Sequence, residues 1–331
     1  MNQVEERKQG ERKQGEILLQ VENLSIGFDA DEGLIGVTDG VSFDIRKGEI
    51  YGLVGESGCG KTVTSIALLR LLPAPRGRTL SGRALFRGKD ILGMSKEELR
   101  EFRGQSVSMI FQEPGSALNP LMTIQDQLRE VFDYHEYSGD RDQRIDALLR
   151  RVGFSDPERI LRAYPHELSG GMAQRVMIAM ALLLEPDLII ADEPTTALDV
   201  TVQAQIMELL LELRDEMHAA ILLITHNMGL IAQYADRVAV MYAGRIVEEG
   251  ETASLLRDPL HPYSQGLLRA IPDIESDRPI PHPIPGQVPR AADFPSGCRF
   301  RERCPRAFEP CADRPELKNV REGRKTACFL Y

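Results

Sequence analysis

The chain lacks any apolar run long enough to cross a bilayer. Its longest, such as Ile221 to Ile224 and Ala179 to Leu184, fall far short of the roughly 20 residues a membrane helix needs. It also lacks the apolar core of a signal peptide: Met1 to Glu16 is charged throughout. There is no excess of basic residues. The net charge is −10 and the isoelectric point about 5.3, which argues against nucleic acid as the main partner. Cysteine is scarce and uneven, with one early residue, Cys59, and four near the end. These absences predict a soluble, cytoplasmic protein without a disulfide framework. Its 331 residues, 42% of them hydrophobic, are ample for a large core with an appendage.

What is present begins with a repeat, Glu6-Arg7-Lys8-Gln9-Gly10 followed by Glu11-Arg12-Lys13-Gln14-Gly15, read as part of a disordered tail over residues 1–16. Strand-like segments follow, of which Leu18 to Val21 and Val41 to Ile45 are clearest. From Met94 to Pro165 the pattern turns helical, then apolar strand-like runs return at Asp187 to Ala191, Ala220 to Ile224 and Arg237 to Met241. Strands alternating with helices predict an α/β core with a mostly parallel sheet, and the helical stretch, about 94–165, an inserted subdomain. Pro272 to Pro295 is too proline-rich for a helix or central strand and reads as an extended linker.

Gly55-Glu56-Ser57-Gly58-Cys59-Gly60-Lys61-Thr62 fits G-x-x-x-x-G-K-[ST], lying between an apolar run, Ile50 to Val54, and a helix-like run, Thr64 to Leu72. Small residues let backbone N–H groups converge on phosphate oxygens at the positive end of a helix. Lys61 can reach the outer phosphates and the Thr62 hydroxyl can ligate Mg²⁺. The pattern predicts nucleoside triphosphate binding. Leu188 to Glu193 is an apolar run ending in two acids: Asp192 suits a Mg²⁺ ligand and Glu193 a base for the attacking water. Ser169, Gly170 and Gly171 open a second helical run and make a second anion-binding turn. In a two-fold dimer, that turn would cap the nucleotide held by the other chain.

In order and spacing these residues resemble the ATP-binding cassette (ABC) family: Walker A at Gly55 to Thr62, Q-loop at Phe111 to Pro114, signature at Leu168 to Gln174, Walker B at Leu188 to Glu193, D-loop at Thr196 to Asp199, and a switch histidine, His226, after Thr225. Two departures are mild, Met172 in the signature and Val63 after Thr62. The resemblance implies a P-loop ATPase core with an N-terminal antiparallel β subdomain. It implies ATP and Mg²⁺ as cofactors, with Thr62, Gln112 and Asp192 ordering the metal and its waters. Glu193 would be the general base, His226 would hold the γ-phosphate, Phe28 would stack on adenine, and Asp199 would sit at the dimer interface.

Three stretches further resemble the oligopeptide/dipeptide permease branch: Gln112 to Pro120, His261-Pro262-Tyr263-Ser264 with Leu267-Leu268, and the proline-rich run through Gly286 to the cysteines. The branch implies two membrane-spanning permease subunits, a second ATPase subunit, an extracytoplasmic substrate-binding protein reached indirectly, and a place at the cytoplasmic face of the membrane. The domain reading is then an ATPase over 17–256 and a C-terminal extension over 257–331. A nickel or other small-solute importer, or a non-transport cassette ATPase acting on ribosomes or DNA, are the competing readings.

Cys298, Cys304, Cys311 and Cys328 lack the short C-x2–4-C pairs that zinc ribbons favour. Their wide spacing suits a cluster held by one thiolate from each of four loops, and some peptide-permease ATPases that look the same here carry [4Fe–4S]. Zn²⁺ is the alternative, and free cysteines in a basic tail are the third option. The nearby Arg299, Arg301, Arg303 and Arg306 read as a solvated face, with charge compensation for a cluster as the other option. Cys59 reads as a small loop filler whose modification would block ATP.

Overall fold

A computed structural model describes residues 15–31, 33–195, 200–270 and 283–331. The repeat at the start, Asp199, and part of the proline-rich stretch lie outside these residues. Two sheets organise the chain. The first is antiparallel and built on the long strands β1 (Ile17–Ala30) and β2 (Gly33–Arg46), with β4 (Gly77–Phe86) and the short β5 (Lys89–Asp90) beside β1. The second runs in the order β11 (Lys318–Arg321), β12 (Arg324–Thr326), β10 (Arg245–Glu251), β9 (Arg237–Tyr242), β3 (Ile50–Val54), β8 (Ala220–Thr225), β7 (Leu188–Asp192), β6 (Val107–Ile110). Its central strands β3 (Ile50–Val54), β6 (Val107–Ile110), β7 (Leu188–Asp192), β8 (Ala220–Thr225) and β9 (Arg237–Tyr242) are parallel neighbours. In β3, β6, β7 and β8 every residue is buried, as expected of a parallel sheet covered on both faces.

The helices are α1 (Lys61–Leu68), α2 (Lys96–Glu101), α3 (Pro114–Ala117), α4 (Ile124–Asp133), α5 (Arg141–Arg151), α6 (Pro157–Arg162), α7 (Gly170–Leu182), α8 (Val200–Met217), α9 (Met228–Tyr234), α10 (Thr252–Arg257) and α11 (Pro262–Arg269). One hydrophobic core joins α4, α5 and α7 to one face of the parallel sheet, through residues such as Leu128, Phe132, Leu149, Val176 and Leu182. A second core fills the space between the antiparallel sheet and the other face, with Leu24, Ile45, Tyr51 and Leu68. The helical reading from Met94 to Pro165 misses β6, a four-residue strand too short to show a period of its own. This strand matters, because it delivers Gln112 to the carboxyl edge of the sheet.

The C-terminal residues are stitched into this sheet. Strand β10 (Arg245–Glu251) pairs with β9, and β12 (Arg324–Thr326) pairs with β10, with β11 (Lys318–Arg321) outside it. Arg324 and Glu248 form a buried ion pair at 2.7 Å. The carboxylate of Glu248 also accepts the backbone N–H groups of Leu260 and His261 at 2.8 Å, so the charge is matched on both sides.

Candidate nucleotide site

Strand β3 ends at Val54 and the chain turns through Gly55–Gly60 into α1. Gly58 and Gly60 have φ of 80° and 105°, a region glycine occupies without a steric penalty. Gly55 is required for a different reason, since a Cβ there would lie 2.1 Å from the carbonyl oxygen of Met241. The Lys61 ammonium donates to the carbonyls of Gly55 and Glu56 at 2.8 and 3.2 Å, inside the curve of the loop. Cys59 is fully buried, and burial, partly offset by Lys61, pushes its thiol up. A buried thiol with a raised pKa reacts slowly, which fits the filler role.

Strands β7 and β8 bring the acids to the same edge. Asp192 is 1% exposed, and its Oδ1 has no hydrogen-bond partner. Burial, opposed by a hydrogen bond from Thr62 and reinforced by neighbouring Glu193, pushes its carboxyl up to about 6. An orphaned carboxylate oxygen beside a hydroxyl is the donor set Mg²⁺ takes, so Thr62 and Asp192 fit that ion. Glu193 sits next to it at φ 47°, an uncommon conformation for a residue with a side chain. Its backbone N–H is held by the Ile224 carbonyl at 2.8 Å. Two more of the expected residues converge on its carboxylate: Gln112 Nε2 donates to Oε2 at 3.2 Å, and His226 Nδ1 lies 3.1 Å from Oε1. Gln112 follows β6 and His226 follows β8. The parallel sheet thus aligns three side chains from distant parts of the sequence on one acid site.

Ser169 caps α7, its hydroxyl accepting from the Met172 N–H at 3.3 Å. Ser169 and Gly170 are exposed, and a Cβ on Gly170 would meet nothing within 4 Å. From the same helix Gln174 donates to the Pro194 carbonyl at 2.7 Å, which ties the signature turn to the segment after Glu193. Phe28 is half-buried on β1 and packs against the second core near Leu72 and Gly77.

Residues beyond the expected set also reach the loop. The Tyr263 hydroxyl, from α11, accepts the Glu56 N–H at 2.9 Å. Arg303 binds the Glu56 carboxylate with two nitrogens, at 2.6 and 3.0 Å. Gly286, Gln287 and Val288 share a groove with Glu56, Ser57 and His226. The solvated-face reading of the arginine run is corrected at two positions: the side chains of Arg299 and Arg303 are only 12% and 6% exposed. Arginines alternating with polar residues look solvated in sequence, because the acids that hold these two, Asp39 and Glu56, lie 260 and 247 positions earlier.

The His-Pro-Tyr stretch has a structural explanation. His261 caps α11, its Nδ1 accepting from the Tyr263 N–H at 3.0 Å, and burial pushes its pKa down to about 3. A histidine held neutral in the fold but free to protonate when unfolded favours the unfolded state in acid. Its penalty is absent above about pH 6.5 and grows as pH falls toward 3. Stability should therefore drop by about 2 kcal/mol between about pH 6.5 and about pH 5 from this group alone, at about 1.36 kcal/mol per pH unit. Urea titrations of the wild type and His261→Gln should show a shallower acid slope in the variant.

The four late cysteines line one small apolar cavity together with His261, Phe300 and Phe308. Cys298 N–H donates to the Cys311 carbonyl at 3.1 Å. Burial pushes Cys298, Cys304 and Cys328 up, and the nearby Cys311 adds to it in each case. Among the described residues no three His, Cys, Asp or Glu side chains are close enough to form a ready metal site.

Comparison with known proteins agrees with this geometry. The ABC transporter family profile matches residues 38–196, and that of the oligopeptide/dipeptide transporter C-terminal region matches residues 247–311. The chain is 46% identical to the oligopeptide transport ATP-binding protein AppD of Bacillus subtilis, over 95% of this chain and 97% of that one. It is 45% identical to the dipeptide transport ATP-binding protein DppD of Escherichia coli, over 94% and 96%. Among solved structures, the cassette MJ0796, in a dimeric post-hydrolysis state bound to ADP and Pi, matches with a TM-score of 0.62 at 26% identity, over 71% of this chain and 99% of that one. The cbiO1 protein from Clostridium perfringens, part of the ABC transporter complex cbiONQ, matches with a TM-score of 0.61 at 27% identity, over 73% and 91%.

Proposed function

The chain belongs to the ABC transporter family, in its oligopeptide/dipeptide branch, and we propose that it is the ATP-hydrolysing subunit of a membrane importer of di- or oligopeptides. The observation that carries the reading is the convergence of Gln112 and His226 on Glu193 beside the phosphate loop, in a chain alike end to end with peptide-transport ATPases. The second family match, in the C-terminal region, favours peptides over nickel or another small solute.

In this reading Gly55 to Val63 cradle the phosphates of ATP and Phe28 stacks on its adenine. Thr62, Asp192 and Gln112 hold Mg²⁺ and its waters, and the ion screens phosphate charge. Glu193 accepts the proton of the attacking water, and His226 orients that water and the γ-phosphate. Ser169, Gly170, Gly171 and Asp199 act on the nucleotide of a second ATPase subunit, a related chain or a second copy. Dimer closure on ATP then drives two permease subunits, which receive substrate from an extracytoplasmic binding protein. No helix among the described residues is long and apolar enough to cross a membrane. The reading makes the chain a peripheral subunit, held at the cytoplasmic face by its permease partners. The proposed division is a tail over 1–16, an ATPase over 17–256, and a C-terminal extension over 257–331 whose Cys298, Cys304, Cys311 and Cys328 hold a [4Fe–4S] cluster, with Zn²⁺ as the alternative.

One anaerobic purification tests both parts. The tagged chain should bring down two membrane proteins, and the preparation should be brown with about four irons per chain. Recovery with ribosomes or DNA instead would overturn the transport reading. A colourless preparation containing zinc and no iron would overturn the cluster.

A further inference from the structure

The side chain of Arg303 is almost wholly withdrawn from solvent, yet it is surrounded by acceptors. Two of its nitrogens bind Glu56. The same guanidinium donates to the Pro285 carbonyl at 2.8 Å and to those of Ile284 and Gly286 at 3.3 Å. It also lies 5.7 Å from the ring centre of Tyr242, at the end of β9. Three separate pieces of chain meet on this one group: the phosphate loop, the end of a core strand, and the segment at residues 284–286.

Glu56 is the second residue of a loop shaped to receive phosphate. A free carboxylate there would repel the anion the loop exists to bind, by an amount comparable with a tenfold change in affinity at about 10 Å and an effective dielectric of about 20. A paired Arg303 offsets that repulsion, and its fork fixes the position of the carboxylate. Tyr263 holds the backbone of the same residue.

We propose that Arg303, with Tyr263, is a positioning residue for nucleotide binding: the C-terminal extension neutralises and anchors Glu56 and thereby sets the affinity of the phosphate loop for ATP. This rests on Gly55–Thr62 being the phosphate site. It gives the extension a role at the nucleotide through the residue that precedes Cys304.

The test is a titration of each purified, folded variant with the magnesium complex of a non-hydrolysable ATP analogue, alongside ATPase rates. Arg303→Met keeps the side-chain stem over Tyr242 and removes the charge. It should raise Kd and KM about tenfold while kcat at saturation stays within about twofold. Adding Glu56→Gln to Arg303→Met should recover most of the lost affinity, because the unpaired carboxylate is gone; a merely structural role for Arg303 predicts no recovery. An unaltered Kd in Arg303→Met, or a double variant no tighter than the single, would overturn the proposal. Should Arg303→Met fail to fold, Tyr263→Phe replaces it, with an expected rise in Kd of about threefold for one lost hydrogen bond; an unchanged value overturns the proposal equally. Lys61→Ala is measured in parallel. Binding as tight as wild type in that variant would refute the phosphate-loop assignment itself, whereas loss of binding there with Arg303→Met unaffected refutes only the clamp.

Discussion

Glu193→Gln should bind ATP with near wild-type affinity and hydrolyse it at least about a hundredfold more slowly. General-base catalysis contributes about 10² to 10⁴ in rate, and a carboxamide cannot accept the proton. The substitution keeps the length and shape of the side chain, while the contact at Oε1 passes to an amide nitrogen facing His226 Nδ1. The new carboxamide can still accept from Gln112 through its carbonyl oxygen, and the backbone bond to Ile224 does not involve the side chain. The left-handed backbone at this residue is unaffected, since glutamine and glutamate have the same shape. Single-turnover measurements should therefore find the loss in the chemical step, with nucleotide retained on the protein. Hydrolysis within about threefold of wild type would remove Glu193 from the role of base. Asp192 or His226 would then be tested in its place.

Gly170→Asp should leave the isolated subunit folded and able to bind ATP, while lowering turnover by about a hundredfold or more. Nothing lies within 4 Å of a Cβ at this position, and Gly170 is the first residue of α7, where a carboxylate is welcome to the helix. A stability change beyond about 0.5 kcal/mol is not expected from an exposed site of this kind. The same helix end is where a partner's nucleotide is proposed to rest, and an added negative charge there meets the γ-phosphate. The expected signature is a normal melting temperature, a normal affinity for ATP in dilute solution, and loss of the ATP-dependent dimer by light scattering. Wild-type turnover in this variant would show that the turn at Ser169 takes no part in hydrolysis.

The nucleotide site was readable in sequence to the extent that it is local. Gly55 to Thr62 is a continuous loop whose spacing reflects a single turn between strand and helix, and the two acids at the end of β7 follow an unbroken apolar strand. The meeting of Gln112, Glu193 and His226 came only from resemblance, because it depends on three strands lying side by side. Strand β6 was invisible for want of length, although it places Gln112. Arg303 and Tyr263 were misjudged or left without a role for the same physical reason: their partners are brought to them by the sheet and not by the chain. The burial of an arginine is set by what faces it, and no periodicity records that.

The hydrogen bonds from Arg303 to Glu56 close a loop of 247 residues, and that from Glu56 to Tyr263 one of 207. Contacts so distant in sequence slow folding. At about 5 to 20 residues per second, the phosphate loop leaves the ribosome about 10 to 50 seconds before the arginine that sets it. During that interval the first strand and loop of the parallel sheet exist without their anchor. The nascent subunit should thus acquire its mature affinity for ATP only after Arg303 has emerged and reached Glu56.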